Sequence, residues 1–150
     1  MPRDFGTTFV TQCAPVMAGL KAANLFRWVE PDAAALAGTL ASWRRQLAPR
    51  GVEIETLHFC PRAHAYLIYV YRPARLQAIL GRDAPRALLR AAGYPAAGGC
   101  RRCLDCLCAR LRQGGEFPHE IGVFLDYPLA DVVGFIQNRG KNSTFTGYWK

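Results

Sequence analysis

The chain has 150 residues, 51% of them apolar, with a formal net charge of +8 and six cysteines; this fits one domain, 1–150, with a sizeable core, and excludes a disordered tail. No apolar run approaches the roughly 20 residues needed to cross a bilayer, and MPRDFGTTFVTQC lacks the apolar segment of a secretory signal, so a cytoplasmic protein with reduced thiols and no membrane partner is expected. All basic residues except Lys21, Lys141 and Lys150 are arginine; they are spread along the chain without interleaved aromatics, which argues against a nucleic-acid partner.

Phe5, Phe9 and Cys13 form one helical stripe, which Pro15 is expected to end or turn. Gly19, Lys21 and the apolar patch Leu25, Phe26 and Trp28 follow, so CAPVMAGLKAANLF reads as a broken segment holding a thiol and an ammonium near a turn. Residues 31–48 predict a helix. Pro31 suits its first turn, Asp32 its positive N-terminus, and Leu36, Leu40, Trp43 and Leu47 its buried face. Pro49 and Gly51 stop it. Two strands, 52–59 and 65–71, flank a short connection at Cys60-Pro61-Arg62 and predict an antiparallel hairpin. His58 and His64 beside Cys60 read as turn residues rather than metal ligands.

A short helix over 73–80 is expected, closed by Gly81. A second follows, with Asp83 as its N-cap and Leu88 and Leu89 inward. Cys100, Cys103, Cys106 and Cys108 then fall at spacing C-x2-C-x2-C-x-C. Thiolates so spaced can share zinc or iron, and the first three positions match the ferredoxin pattern. Leu104, Leu107 and Leu111, however, make this segment a helix. At about 100° per residue Cys106 and Cys108 point apart, so Cys100, Cys103 and Cys106 are the better metal candidates. Residues 120–125 read as a buried strand, Asp126-Tyr127-Pro128 as a turn, 128–138 as a helix and the tail STFTGYWK as a strand. Hairpin, extra strands and a separate run of helices predict an α+β fold, a small antiparallel sheet of three or four strands with helices packed on it.

Several stretches resemble a bacterial family of unknown function, DUF3793. They are Cys13-Ala14-Pro15 with Gly19, Lys21 and Asn24-Leu25-Phe26; Tyr71-Arg72 with Leu76 and Leu80; and, most specifically, FPHEIGVFLDYPLADVVGFIQNRGKN and GYWK. Family members continue past GYWK, so the resemblance implies a shortened C-terminus. It implies no reaction. It singles out Cys13, Lys21, Arg72, His119, Glu120, Asp126 and Asn138, and the cysteine run is not part of its pattern.

Three functions are compatible with these residues. In a small cytoplasmic accessory protein, Lys21, Arg72 and Asn138 would hold a small anionic ligand, Arg72 through its bidentate fork. In a thiol enzyme, Cys13 would be a nucleophile activated by His119, with Glu120 nearby. In a metal protein, Cys100, Cys103 and Cys106 would bind zinc or iron.

Overall fold

The computed structural model describes residues 4–95, 99–114 and 118–137. The fold is α+β. The elements in chain order are α1 (Phe5–Met17), β1 (Ala23–Val29), α2 (Ala33–Leu47), β2 (Glu53–Cys60), β3 (Ala65–Tyr71), α3 (Pro73–Leu80), α4 (Asp83–Ala91), α5 (Gly99–Gln113), α6 (Ile121–Phe124) and α7 (Leu129–Gln137). The chain divides into two compact units, Met1–Pro73 and Ala74–Lys150. Among the described residues, no helix is long and apolar enough to cross a membrane.

The first unit is a three-stranded antiparallel sheet in the order β1-β3-β2. The predicted hairpin forms, with a register shift between Thr56 and His58. The strand that completes the sheet is β1, which the sequence shows only as an apolar patch. Asn24, Phe26 and Trp28 alternate onto one face, opposite Val70, Ile68 and Tyr66. Phe26, Ile54, Ile68 and Val70 join Phe5, Phe9, Cys13 and Val16 of α1 and Leu36, Leu40 and Leu47 of α2 in one buried cluster. Phe9 stacks on Trp43 with ring centroids 4.5 Å apart.

Helix starts and stops follow local chemistry. Asp4 caps α1, accepting Thr7 N–H at 3.0 Å. Its carboxyl is held below the ordinary range by the backbone and hydroxyl donors of Thr7. Asp32 caps α2 through Ala35 N–H at 3.1 Å, so Pro31 lies just outside the helix rather than in its first turn. α1 continues through Pro15 to Met17, two residues beyond the expected stop. Pro15 lacks the donor for its own i→i−4 bond, but the helix goes on behind it. The end then closes as a Schellman motif, with Leu20 N–H on Pro15 O at 2.9 Å and Gly19 N–H on Val16 O at 3.1 Å. Gly19 supplies the left-handed φ of 77° this requires.

The second unit is helical. Asp83 is the first residue of α4, with Arg82 at the cap position, a shift of one residue from the sequence expectation. Leu104, Leu107 and Leu111 are buried on α5 as their spacing predicts. Residues 120–125, expected to be a strand, instead form the single turn α6. Short apolar runs do not distinguish a strand from a buried helix by pattern. Here Pro118 O, His119 O and Glu120 O accept from Ile121, Gly122 and Val123 N–H at 3.0–3.2 Å. These buried backbone groups are satisfied locally, without a sheet neighbour. The expected tail strand lies outside the described residues.

The two ends that need most help, the α1 C-terminus and the 3-10 turn Ala48–Arg50 after α2, meet at Arg72. Its Nε donates to Val16 O at 2.8 Å, Nη2 to Met17 O at 3.0 Å and Nη1 to Arg50 O at 3.1 Å. Replacing Arg72 by Ala removes three charge-assisted bonds, so the Arg72→Ala protein should lose roughly 2–4 kcal/mol of stability in urea unfolding. Arg72→Lys should recover less than half of that loss, because a point charge cannot reach three carbonyls at once.

Candidate functional site

The residues singled out by sequence divide between the two units. Cys13, Lys21 and Arg72 belong to the first; His119, Glu120 and the cysteine run belong to the second. Asn138 lies outside the described residues.

Cys13 is fully buried on the core face of α1. Burial pushes its thiol up to about 12, because a thiolate there would lose its water. At neutral pH it is a small apolar core residue, and it does not supply the low-pKa thiolate that nucleophilic chemistry needs. Lys21 is half-buried in the turn between α1 and β1. Arg72 spends Nε, Nη1 and Nη2 on the carbonyls described above. A further polar group in this unit went unrecognised in the sequence. The Tyr71 hydroxyl lies 3.2 Å from Glu53 Oε2 and 3.1 Å from Glu55 Oε2. Burial, and then the two carboxylates, hold that phenol well above its ordinary range.

In the second unit His119 is half-buried in the turn leading into α6. Its neighbour Glu120 is the one buried charged residue among those described. The Tyr94 hydroxyl donates to Glu120 Oε1 at 3.1 Å, and Arg110 Nη1 lies 3.5 Å from the same oxygen. The Arg110 guanidinium also sits 4.7 Å above the Tyr94 ring, donates to Ala92 O and hydrogen-bonds the Cys106 sulfur. Tyr94, Arg110 and Glu120 thus contact one another pairwise. This network fixes the turn before α6 against α5, with a cation–π contact reinforcing an ion pair.

Cys100, Cys103 and Cys106 lie along α5 as predicted, with Cys103 buried and Cys100 and Cys106 half-buried. Burial, and then its two cysteine neighbours, raise the Cys103 thiol. Among the described residues, no group of three or more His, Cys, Asp or Glu side chains comes together to hold a metal ion.

Sequence reasoning missed a cleft of about 220 Å³ within the second unit, lined by Ile79, Arg82, Pro85, Val123, Asp126, Tyr127, Pro128 and Leu129. Its lining is mixed, with Arg82, Asp126 and Tyr127 as the polar residues among five apolar ones. Asp126 adopts a left-handed φ of 63° and lies 3.9 Å from Arg75 Nη2. Five of the eight lining residues come from VFLDYPL, the stretch whose Asp-Tyr-Pro turn is legible in the sequence. That turn was the available signal; the opposite wall, from α3 and the start of α4, carries no motif.

The sequence profile of the family described as "Protein of unknown function (DUF3793)" matches residues 9–150, and the chain belongs to that family. Neither a curated protein nor a solved structure matches it.

Two measurements test these assignments. Iodoacetamide at pH 7.5, followed by peptide mapping, should label exposed-side thiols such as Cys60 at least roughly tenfold faster than Cys13. Because the Cys13 thiol is raised in the folded state, its contribution to stability is complete below the ordinary value of 9.0 and is lost as pH rises toward 12. Cys13→Ala should therefore flatten the alkaline fall in thermal midpoint. Second, Glu120→Ala leaves Arg110 without its buried partner and should cost roughly 3 kcal/mol in chemical denaturation, against about 1 kcal/mol for Tyr94→Phe.

Proposed function

We propose that this family member is a ligand-binding accessory protein of the cytoplasm. Its binding site is the cleft between α3, the start of α4 and the Asp126–Leu129 turn. The observation that carries this reading is the cleft itself. It is an open cleft in which apolar side chains from Ile79, Pro85, Val123, Pro128 and Leu129 surround three polar residues, Arg82, Asp126 and Tyr127, a combination that small-molecule sites use. Arg82 supplies a planar cation for an anionic group such as a carboxylate or phosphate. Asp126 supplies an acceptor for a donor or cationic group on the same molecule. The favoured ligand is therefore small and anionic at one end, with a hydrogen-bond donor at the other. Arg82 takes the anion-reading role that the sequence suggested for Lys21 and Arg72, since Arg72 is engaged in holding two helix ends.

The test is thermal stabilisation and calorimetry with a panel of amino acids, simple carboxylates and inorganic phosphate. At least one anion should stabilise the wild-type protein. Arg82→Ala should weaken that ligand roughly 10- to 100-fold, the loss of one charge-assisted bond. Asp126→Asn, which keeps a residue tolerant of left-handed backbone, should weaken amino acids while sparing simple anions. Equal stabilisation of wild type and Arg82→Ala, or none by any member of the panel, rejects the reading.

A further inference from the structure

The ligand-binding reading leaves the cysteines of α5 unused, and their placement is uneven. Cys100 is the second residue of α5, inside the first turn, whose backbone donors have no intrahelical acceptors. Its N–H is capped from outside, by Gln77 Oε1 of α3 at 2.9 Å. Gly99 just before it has a left-handed φ of 68°, with Gln77 Oε1 against its Cα. Cys103 lies one turn further in and is 8% exposed, whereas Cys100 is half-buried. The intervening residues are Arg101 and Arg102, both exposed. Arg101 is paired with Asp105 at 2.9 Å.

We propose that Cys100 and Cys103 form a reversible dithiol–disulfide site that exchanges with small anionic disulfides of the glutathione type. Three features support this assignment. The first is access combined with polarity. A thiol in the first turn of a helix faces the positive end of the dipole, which favours its thiolate. The adjoining arginines add positive potential that attracts an anionic disulfide. Cys100 is therefore the attacking sulfur and the buried Cys103 the resolving one.

The second feature is backbone freedom. Residues three apart on a helix have Cβ atoms about 5–6 Å apart, while a disulfide needs about 4 Å. Closing the bridge requires a tightening of about 1–2 Å. The first turn of α5 can supply it, being capped by the Gln77 side chain and opening on Gly99. Cys103 and Cys106 have the same spacing, but they lie where consecutive backbone bonds lock the helix. The third feature is that Cys106 lies next to Arg110, within the Tyr94–Glu120 network. The residual strain of a helical bridge makes it easily reduced, as a reversible site requires.

The exchange balances without another reagent. The Cys100 thiolate attacks one sulfur of the small disulfide, forming a mixed disulfide and releasing one thiolate, which takes up the proton Cys100 has lost. Cys103, on losing its proton, attacks the Cys100 sulfur. The protein bridge forms, and the second small thiol departs with that proton. Two protein thiols are oxidised and one small disulfide is reduced to two thiols. Closure also draws the Cys100 N–H away from Gln77, so the redox state is read at the contact between α3 and α5.

The experiment equilibrates the reduced full-length protein with defined ratios of reduced to oxidised glutathione. The mixture is then acid-quenched, remaining thiols are blocked, and the protein is digested with trypsin and mapped by mass spectrometry. Cleavage at Arg101 and Arg102 separates the two cysteines, so the bridge appears as two linked peptides. It should exceed any other pairing by at least roughly tenfold, vanish with dithiothreitol and persist in Cys106→Ser. Cys103→Ala should trap glutathione on Cys100. Bridges scattered among Cys60, Cys106 and Cys108 overturn the proposal, as does absence of a bridge at every ratio. So does a stoichiometric metal that shields Cys100, Cys103 and Cys106 together. The wild-type mapping decides alone if Cys103→Ala fails to fold.

Discussion

The first unit depends on one side chain. A helix end exposes carbonyls that find no partner within the helix, and the unit must end α1 and the turn after α2 close together at the base of the sheet. Arg72, just past the end of β3, answers both with a single guanidinium reaching Val16, Met17 and Arg50. Its own N–H bonds Ala22 O at 2.8 Å, so the backbone that carries the fork is itself fixed to the chain entering β1. A positive charge against the α1 C-terminus also meets the negative end of that helix. Around it, Pro15, Gly19 and Asn24 serve the same junction. Asn24 Oδ1 accepts Val16 N–H at 3.2 Å, and Gly19 turns the chain out of the helix. Polar residues that resemble a ligand site in one dimension are, in three, the fastening of a helix to a sheet.

This explains which parts of the chain the sequence made legible. The limits of β3 and α3 match the pattern to the residue, because each is bounded by a residue of fixed preference and filled by side chains of one period. β1 was harder. Its outward face carries Leu25 and Val29 beside Arg27, which blurs the two-residue alternation that would announce a strand. α6 failed for the opposite reason. Five consecutive buried residues, Ile121 to Leu125, have no period at all, so only the local hydrogen bonds decide between strand and turn. α1 outran its proline because the Schellman closure behind Pro15 completes the helix end. That closure is not visible in a stripe of Phe5, Phe9 and Cys13.

The site was legible in fragments. Glu120 was noticed as an acid beside a histidine, but its role depends on Tyr94 and Arg110, which are 26 and 10 residues away. No spacing rule links them. Arg72 was singled out as a holder of an anionic ligand, and the structure shows its guanidinium on the carbonyls of Val16, Met17 and Arg50. Asp126 was singled out without a role, and it lines the cleft. The common feature is that sequence marks residues whose chemistry is constrained, while only geometry separates a constraint of folding from one of binding.

Asp126 shows how both constraints act at one position. A non-glycine residue at positive φ is strained, and aspartate is among the few side chains that tolerate it. That conformation ends α6 and redirects the chain into Pro128 and α7, placing Asp126, Tyr127, Pro128 and Leu129 in succession along one wall of the cleft. Val123 of α6, three residues earlier, is fixed in the same wall by Asp126 N–H, which bonds Val123 O at 3.3 Å. Tyr127 N–H, bonded to Gly122 O at 3.0 Å, fixes the next residue. Glycine at position 126 would relieve the strain and remove the carboxylate together. A larger aliphatic residue would keep neither the turn nor the charge. The backbone requirement and the polar lining of the cleft therefore select the same residue type.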